Sequence, residues 1–487
     1  MSDSVKLGKQ KSILELLSDT SVYGIGVVFS RFLGFIITPL LTRLFSVAEY
    51  GQVDVIQSGL SIAIAVASLY TESGVMKYYY EFGRAERRTL LSTHIMTMGI
   101  ISLALVALFL PFSGLISIKL LGSARQWSTI RDSLWVIITS LLYQHVITVL
   151  RTARRPKLAV IYSLSVAGFQ FLLVVLFVLK LKYGIGGIFI ARALTEGLIS
   201  MIMIIILRDY YSLSYSLPML RTLLRFGLPM LPEVFTGIVI GYCSRYFLLL
   251  YHNAASLGLF SLAQKSALII VVASAALKSA WLPYAFSISG QENAREIYSY
   301  VFSAYLKVMA LLLAGLILFS RELILILSTK EYLSATLLIG LLGLTAVLQG
   351  LVYIVNIGIL IAGKTRYYIF ASLAASVITF ALSALLIPRW GIVGAALVHL
   401  AAQLVMVEVV YKIAEHFYKI EYRFGYLVLF VIGFILLSLI NLGTINIDFY
   451  FRLFLCGAAG IASYFFLLRK EIVVLKKLFL SRMGLAS

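Results

Sequence analysis

Fourteen apolar runs follow one another along the chain, each about the 20 residues a helix needs to cross a bilayer. They fall near 19–42, 53–78, 91–116, 131–151, 158–180, 185–207, 227–250, 257–287, 298–320, 335–360, 367–387, 391–411, 424–443 and 449–468. With no water to satisfy backbone groups inside lipid, such runs are read as helices whose hydrogen bonds stay within the segment. Only 13% of residues are charged and 61% are hydrophobic, whereas soluble domains carry about 25% charged residues. The expected fold class is therefore all-α: a polytopic membrane protein with about 14 transmembrane helices.

The distribution of Lys and Arg sets the orientation. Alternate loops hold 25 basic residues and the opposite set holds 10. Basic loops stay in the cytoplasm, which predicts a multi-pass protein with both termini cytoplasmic. The formal charge of +20 would suggest nucleic acid in a soluble chain; here the membrane surface accounts for it, and no nucleic-acid partner is expected. The N-terminal segment reads as lacking a cleavable signal. Cys243 and Cys456 lie in apolar runs, so no disulfide framework is indicated.

The chain repeats itself. Ala48-Glu49-Tyr50-Gly51 with Gln57 returns as Ala255-Ser256-Leu257-Gly258 with Gln264, 207 residues later. Tyr183-Gly184-Ile185-Gly186-Gly187 returns as Trp390-Gly391-Ile392-Val393-Gly394, and Lys157 as Lys364, at the same offset. Spans one to six thus match spans seven to twelve. Six is even, so the halves are parallel repeats, a plan used by transporters that rock two lobes about a central site. The expected organisation is an N-lobe over 1–207, a basic inter-lobe linker over 208–226, a C-lobe over 227–414, and two extra C-terminal helices with a basic tail over 415–487.

No phosphate-binding loop is present, and Gly184-Ile185-Gly186-Gly187 sits between spans rather than in a dinucleotide fingerprint. The five histidines, His94, His145, His252, His399 and His416, are scattered without ligand spacing. Neither metal nor cofactor is expected, and an enzyme reading lacks a site. What remains is charge inside the membrane, which costs at least ~2.5–3.5 kcal/mol per group and usually marks function. Arg31 lies mid-span on a stripe with Gly24, Gly34, Thr38 and Thr42. Asp54, Ser58, Ser61, Ala65, Ser68 and Glu72 make a second polar stripe on span two. Arg192, Arg245, Lys265, Lys278 and Lys307 are the other basic groups within spans; Glu196, Glu233 and Glu408 accompany Glu72. Arg192 and Glu196 are four apart and suited to pair. Lys307 and Glu408 are suited to snorkel to an interface. Cavity lining and pairing between helices both remain open for Arg245, Lys265 and Lys278; Gln264 shares the face of Lys278.

Ser30-Arg31-Phe32-Leu33-Gly34-Phe35 resembles the first-helix motif of lipid II flippases. Pro39-Leu40-Leu41-Thr42-Arg43-Leu44 with Glu49-Tyr50-Gly51 is similar to the opening of O-antigen and polysaccharide-unit flippases. So are Arg225-Phe226-Gly227-Leu228-Pro229 with Pro232, and Gly258-Leu259-Phe260-Ser261-Leu262-Ala263-Gln264-Lys265. Met76-Lys77-Tyr78-Tyr79-Tyr80-Glu81 looks like that family's end of span two. The family belongs to the multidrug/oligosaccharidyl-lipid/polysaccharide exporters. The resemblance implies two six-helix lobes working by alternating access in the cytoplasmic (inner) membrane. The implied substrate is a polyprenyl-diphosphate-linked oligosaccharide, moved to the outer leaflet for surface polysaccharide such as O-antigen or capsule. A polysaccharide polymerase and chain-length machinery are the implied partners beside the lipid bilayer. The diphosphate role carries over to Arg31, Lys265 and Lys278; Arg245, Gln57 and Gln264 complete the candidate binding set, and Glu72 and Glu196 are the candidates for proton or ion coupling. Two relatives stay open as alternatives, a lipid II flippase and a multidrug or cation antiporter. Lipid II flippases carry more arginines in their first two helices. An excess of six basic over four acidic groups within the spans counts against a cation extruder.

Overall fold

The computed structural model describes residues 35–422 together with 425, 427 and 431–434. Arg31, most of the first expected span and nearly all of the last two lie outside the described residues. Every regular element among the described residues is helical. After a short apolar helix α1 (Phe35–Leu44) come α2 (Val47–Ala67), α3 (Thr71–Tyr78), α4 (Arg84–Phe109), α5 (Ser113–Leu121), α6 (Trp127–Thr152), α7 (Pro156–Val174), α8 (Gly186–Ile206) and α9 (Leu217–Gly227). Then follow α10 (Leu231–Tyr251), α11 (Ala254–Ser266), α12 (Leu268–Ile288), α13 (Ala294–Leu318), α14 (Ser320–Leu327), α15 (Thr336–Val355), α16 (Ile357–Ile361) and α17 (Tyr368–Phe417).

Nine helical stretches among the described residues are long and apolar enough to cross a membrane, or ten if the bent pair α2–α3 counts as one span. One stretch, Thr365–Phe417, has 53 residues. At 1.5 Å per residue that is ~80 Å, more than two bilayer cores. It is two spans meeting at Gly391, whose φ of 52° and ψ of −126° are not helical. Each expected span from the second to the twelfth therefore has its helix. The third stretch runs on to Leu121, past the end of the expected span, because α5 extends α4.

The chain divides into two compact units, Met1–Gly258 and Leu259–Ser487. In the first, α6 is central and packs against α2, α3, α4, α5, α7 and α8. In the second, α15 has that place, against α12, α13, α14, α16 and α17.

The duplication is visible in local geometry. Gly184 and Gly391 both take a positive φ, 59° and 52°. Three residues on, a Cβ on Gly187 would lie 3.1 Å from Phe177 Cβ, and one on Gly394 would lie 2.6 Å from the Leu386 carbonyl. Both turns thus need glycine twice, once for the backbone angle and once for close helix packing. The loops after α6 and α16 share a cap. Arg155 N–H donates to Leu150 O and Lys364 N–H to Ile359 O, while Arg154 and Gly363 take φ of 52° and 66°. This is a Schellman termination in both copies. Geometry aligns Lys364 with Arg155 rather than Lys157, so the offset shifts by two residues here.

The sharpest sign is a contact. The start of α2 crosses the start of α11 at Gly51 and Gly258, the repeat-equivalent pair. A Cβ on Gly51 would meet the Ala254 carbonyl, and one on Gly258 would meet the Val47 carbonyl. Val47 and Ala254 are themselves equivalent, so the contact is reciprocal, as at a two-fold interface. Ser46 caps α2: its Oγ accepts from Glu49 N–H, and its own N–H donates to Glu49 Oε2 at 2.9 Å.

Candidate functional site

Span two breaks at Leu69 and Tyr70, both in the left-handed region at φ 46° and 56°. Helices α2 and α3 diverge by 44° there. No proline or glycine causes the break. Ser68 Oγ accepts from Tyr70 N–H, and Thr71 Oγ donates to Ser68 O at 2.7 Å. Gly227, at the end of α9, lies so close that a Cβ would sit 2.3 Å from the Leu69 carbonyl. Left-handed non-glycine residues cost of order 1 kcal/mol or more each and persist only where surroundings impose them. Glu72 sits in the first turn of α3, just past the break.

Two in-span arginines have carboxylate partners. Arg245 on α10 donates from Nε to Asp54 Oδ2 on α2 at 2.9 Å, with side chains 12% and 14% exposed. It also donates to Gly241 O and lies over the Tyr242 ring. Arg192 donates from Nε to Glu196 Oε1 at 2.9 Å, the expected pair. Ser140 Oγ closes that triangle, donating to Glu196 and accepting from Arg192 Nη2. Gln57, on α2, accepts at its backbone oxygen from Ser61 Oγ.

Breaking a buried pair by removing one partner costs about 3–5 kcal/mol, whereas replacing both with apolar groups is often neutral. Asp54→Ala is therefore expected to lower the thermal stability of detergent-purified protein sharply. Asp54→Leu with Arg245→Met should restore most of it. A double variant as unstable as the single one would show that the pair is not what holds α2 to α10.

The second unit carries a seam between α12, α13 and α15. Tyr305 OH donates to Val347 O at 2.7 Å and lies 3.2 Å from Ser274 Oγ. Gly350 makes room, since a Cβ there would fall 2.0 Å from Tyr305 OH. One turn along α12 from Ser274, Lys278 places Nζ 4.0 Å from the centre of the Tyr353 ring. Lys278 is half-buried and has no carboxylate partner among the described residues. Gln264 and Lys265 lie in the last turn of α11, both partly buried. Lys307 is buried midway along α13, only 8% exposed, so it does not snorkel as expected. Glu408 pairs with Lys412 on an exposed helix face.

One cluster was not legible from spacing. His94 on α4 and His145 on α6, 51 residues apart, stand Nδ1 to Nδ1 at 2.7 Å with rings stacked. His94 Nε2 lies 3.1 Å from Thr71 Oγ, beside the break, and His145 Nε2 lies 3.0 Å from Tyr211 OH. Both histidines are buried, at 1% exposure. The linker is fastened alongside. Ser212 N–H donates to Ser92 Oγ, Ser216 N–H to Thr93 Oγ, and Arg88 Nε to Asp209 O. The polar run Ser92-Thr93-His94 inside an apolar helix was the sequence signal. Among the described residues no three His, Cys, Asp or Glu converge as metal ligands.

A model of the polysaccharide biosynthesis protein family matches residues 16–289. The chain is 23% identical over 296 residues to Lsg locus putative protein 1 of Haemophilus influenzae, covering 58% of this chain and 68% of that one. It is 22% identical over 285 residues to an uncharacterised membrane protein of the same bacterium, covering 56% and 66%. Among solved structures it resembles the lipid II flippase MurJ in an inward closed conformation, with TM-score 0.69 and 17% identity over 95% of this chain and 99% of that one. A multidrug resistance MATE transporter in an inward-facing conformation gives TM-score 0.63 and 14% identity, over 82% and 96%. A MOP superfamily transporter from Pyrococcus furiosus, described as having a binding pocket of reverse polarity, gives 0.60 and 14%, over 84% and 96%. With more than half its length matched by one family model and its fold shared with these transporters, the chain belongs to the polysaccharide biosynthesis protein family.

Proposed function

We propose that this protein is a flippase that moves polyprenyl-diphosphate-linked oligosaccharide units from the inner to the outer leaflet of the cytoplasmic membrane by alternating access, supplying surface polysaccharide synthesis. The family match over residues 16–289 carries this reading. Its relatives in fold are transporters rather than enzymes.

The sorting of in-span charges supports it. Arg192 and Arg245 are matched by Glu196 and Asp54, whereas Lys278 rests on an aromatic face. An aromatic ring holds an ammonium without cancelling its charge. Lys278, with Arg31 and Lys265, is the candidate to meet the diphosphate, and Gln57 and Gln264 are candidates for sugar hydroxyls. Both termini are proposed to face the cytoplasm. Glu72 is proposed for ion coupling ahead of Glu196, whose carboxylate is already engaged by Arg192 and Ser140.

Purified protein in vesicles is expected to equilibrate a fluorescent polyprenyl-diphosphate oligosaccharide between leaflets without ATP. A deletion strain should accumulate that lipid on the inner leaflet and lack surface polymer. Normal surface polymer together with new sensitivity to cationic drugs would instead establish the multidrug reading. Flipping confined to peptide-bearing lipid II would establish the third.

A further inference from the structure

The hydrogens of the histidine cluster can be assigned by elimination. The hydroxyl of Thr71 has one proton, and Ser68 O, a pure acceptor 2.7 Å away, takes it. His94 Nε2 must therefore be the donor to Thr71 Oγ. A neutral His94 then has its lone pair at Nδ1, so His145 Nδ1–H donates across the 2.7 Å contact. The remaining lone pair, at His145 Nε2, accepts from Tyr211 O–H at 3.0 Å. Burial pushes the Tyr211 hydroxyl's pKa up, so it keeps that proton. Tyr211 to His145 to His94 to Thr71 to Ser68 is then one directed chain of four bonds, complete with both rings neutral.

Such a chain has no vacancy for another proton. Each of the two ring lone pairs already holds a hydrogen bond. A proton arriving at His145 Nε2 must displace the Tyr211 O–H and leave a buried imidazolium on helices whose nearby apolar residues Leu90, Val146, Val149 and Leu150 are all 1% exposed or less. Among the described residues, the side chains hydrogen-bonded to the two rings are those of Thr71 and Tyr211, and neither is charged. On the neighbouring helices, Arg88 is held on Asp209 O, Arg87 on Phe82 O, Glu196 on Arg192, and Tyr162 OH on Ser200 Oγ. Glu72, beside Thr71 on α3, is hydrogen-bonded to neither ring, and Asp209 and Tyr210 of the linker are not either.

We propose that His94 and His145 form a one-proton binding site that keeps the segment 208–216 docked on α4 and α6 while unprotonated, and releases it when a proton binds. The segment lies in the stretch expected to link the two sequence repeats, so the site sets whether that linker is held or free. The sign follows from proton counting. The undocked state, with rings wetted, binds more protons than the docked one, so docking strengthens as pH rises. It is complete above the ordinary histidine range near 6.5 and is lost as pH falls below it.

The test uses full-length protein in nanodiscs with Cys243 and Cys456 replaced by serine and a nitroxide on Leu213→Cys. Leu213 is fully exposed, so the label displaces nothing. Electron paramagnetic resonance should show a several-fold larger mobile fraction at pH 5 than at pH 8, with a one-proton midpoint. His145→Gln, and His94→Gln with His145→Gln, should make the spectrum independent of pH. A flat pH response in the parent, or an unchanged response in the variants, overturns the proposal. Should the variants not fold, nitrogen-15 spectra of histidine-labelled parent decide. A buried ring must titrate at the nitroxide's midpoint, and separate midpoints overturn the coupling.

Discussion

Replacing Gly51 by alanine is expected to abolish stably folded protein. The new Cβ would lie 1.8 Å from the Ala254 carbonyl oxygen, 2.7 Å from its carbon and 2.9 Å from Gly258 N. All three atoms are backbone, so no side chain can swing aside, and α2 and α11 must part by more than an ångström where they cross. Overpacking ordinarily costs about 1–3 kcal/mol. A rigid backbone clash belongs in the exceptional class above ~4 kcal/mol, a large share of a protein's net stability. Gly258→Ala should behave alike, since its Cβ would meet the Val47 carbonyl at 2.2 Å. Gly241→Ala on α10 is the control. Nothing lies within 4 Å of that position, and alanine gains up to ~1 kcal/mol of helix propensity there. Yield of monodisperse protein and melting temperature read the result. If Gly51→Ala matches Gly241→Ala, the crossing is loose and the equivalence of the two glycines has no packing consequence.

That prediction shows how the sequence and the fold relate. Gly51 and Gly258 were visible as equivalents at an offset of 207; that they touch each other was not, because a repeat says which residues correspond and nothing about what meets on their symmetry axis. Spans two to twelve were legible for a simple reason: a bilayer enforces length and apolarity on every helix that crosses it. The break at Leu69-Tyr70 was hidden because its cause is tertiary. Ser68, Thr71 and the close approach of Gly227 impose it on residues with no turn preference of their own. The histidines looked scattered for a related reason. Residues 94 and 145 reach each other only because α4 packs along α6. Charge was half legible. The i, i+4 spacing of Arg192 and Glu196 foretold their pair, whereas Asp54 and Arg245 are 191 residues apart and their pairing needed the packing of α10 on α2. By spacing alone Asp54 is one more member of a polar stripe.

Lys278→Ala is expected to lower lipid flipping at least tenfold while leaving the protein folded. A diphosphate leaving water must recover its lost hydration from fixed positive groups. A cation already paired with a carboxylate has less left to offer, so Arg192 and Arg245 are expected to contribute less than Lys278. Lys278 is different: the Tyr353 ring 4.0 Å below its Nζ orients it, at an attraction of ~0.5–2 kcal/mol, without neutralising it. The ring also predicts the ranking of variants. Tyr353→Phe keeps the aromatic face and should keep most activity; Tyr353→Leu removes it and should cost a few-fold. Lys278→Arg should retain part of the rate, because the charge stays while its shape changes. Lys278→Glu should abolish flipping, since a fixed anion would face the phosphate. Arg31→Ala and Arg31→Glu are expected to act in the same direction, with partial function in Arg31→Lys. Initial rates in vesicles at matched protein amounts, alongside complementation of a deletion strain, measure all of these. Flipping at the parent rate in Lys278→Ala would reduce this lysine to a packing partner of Tyr353 and leave the diphosphate to Arg31 and Lys265.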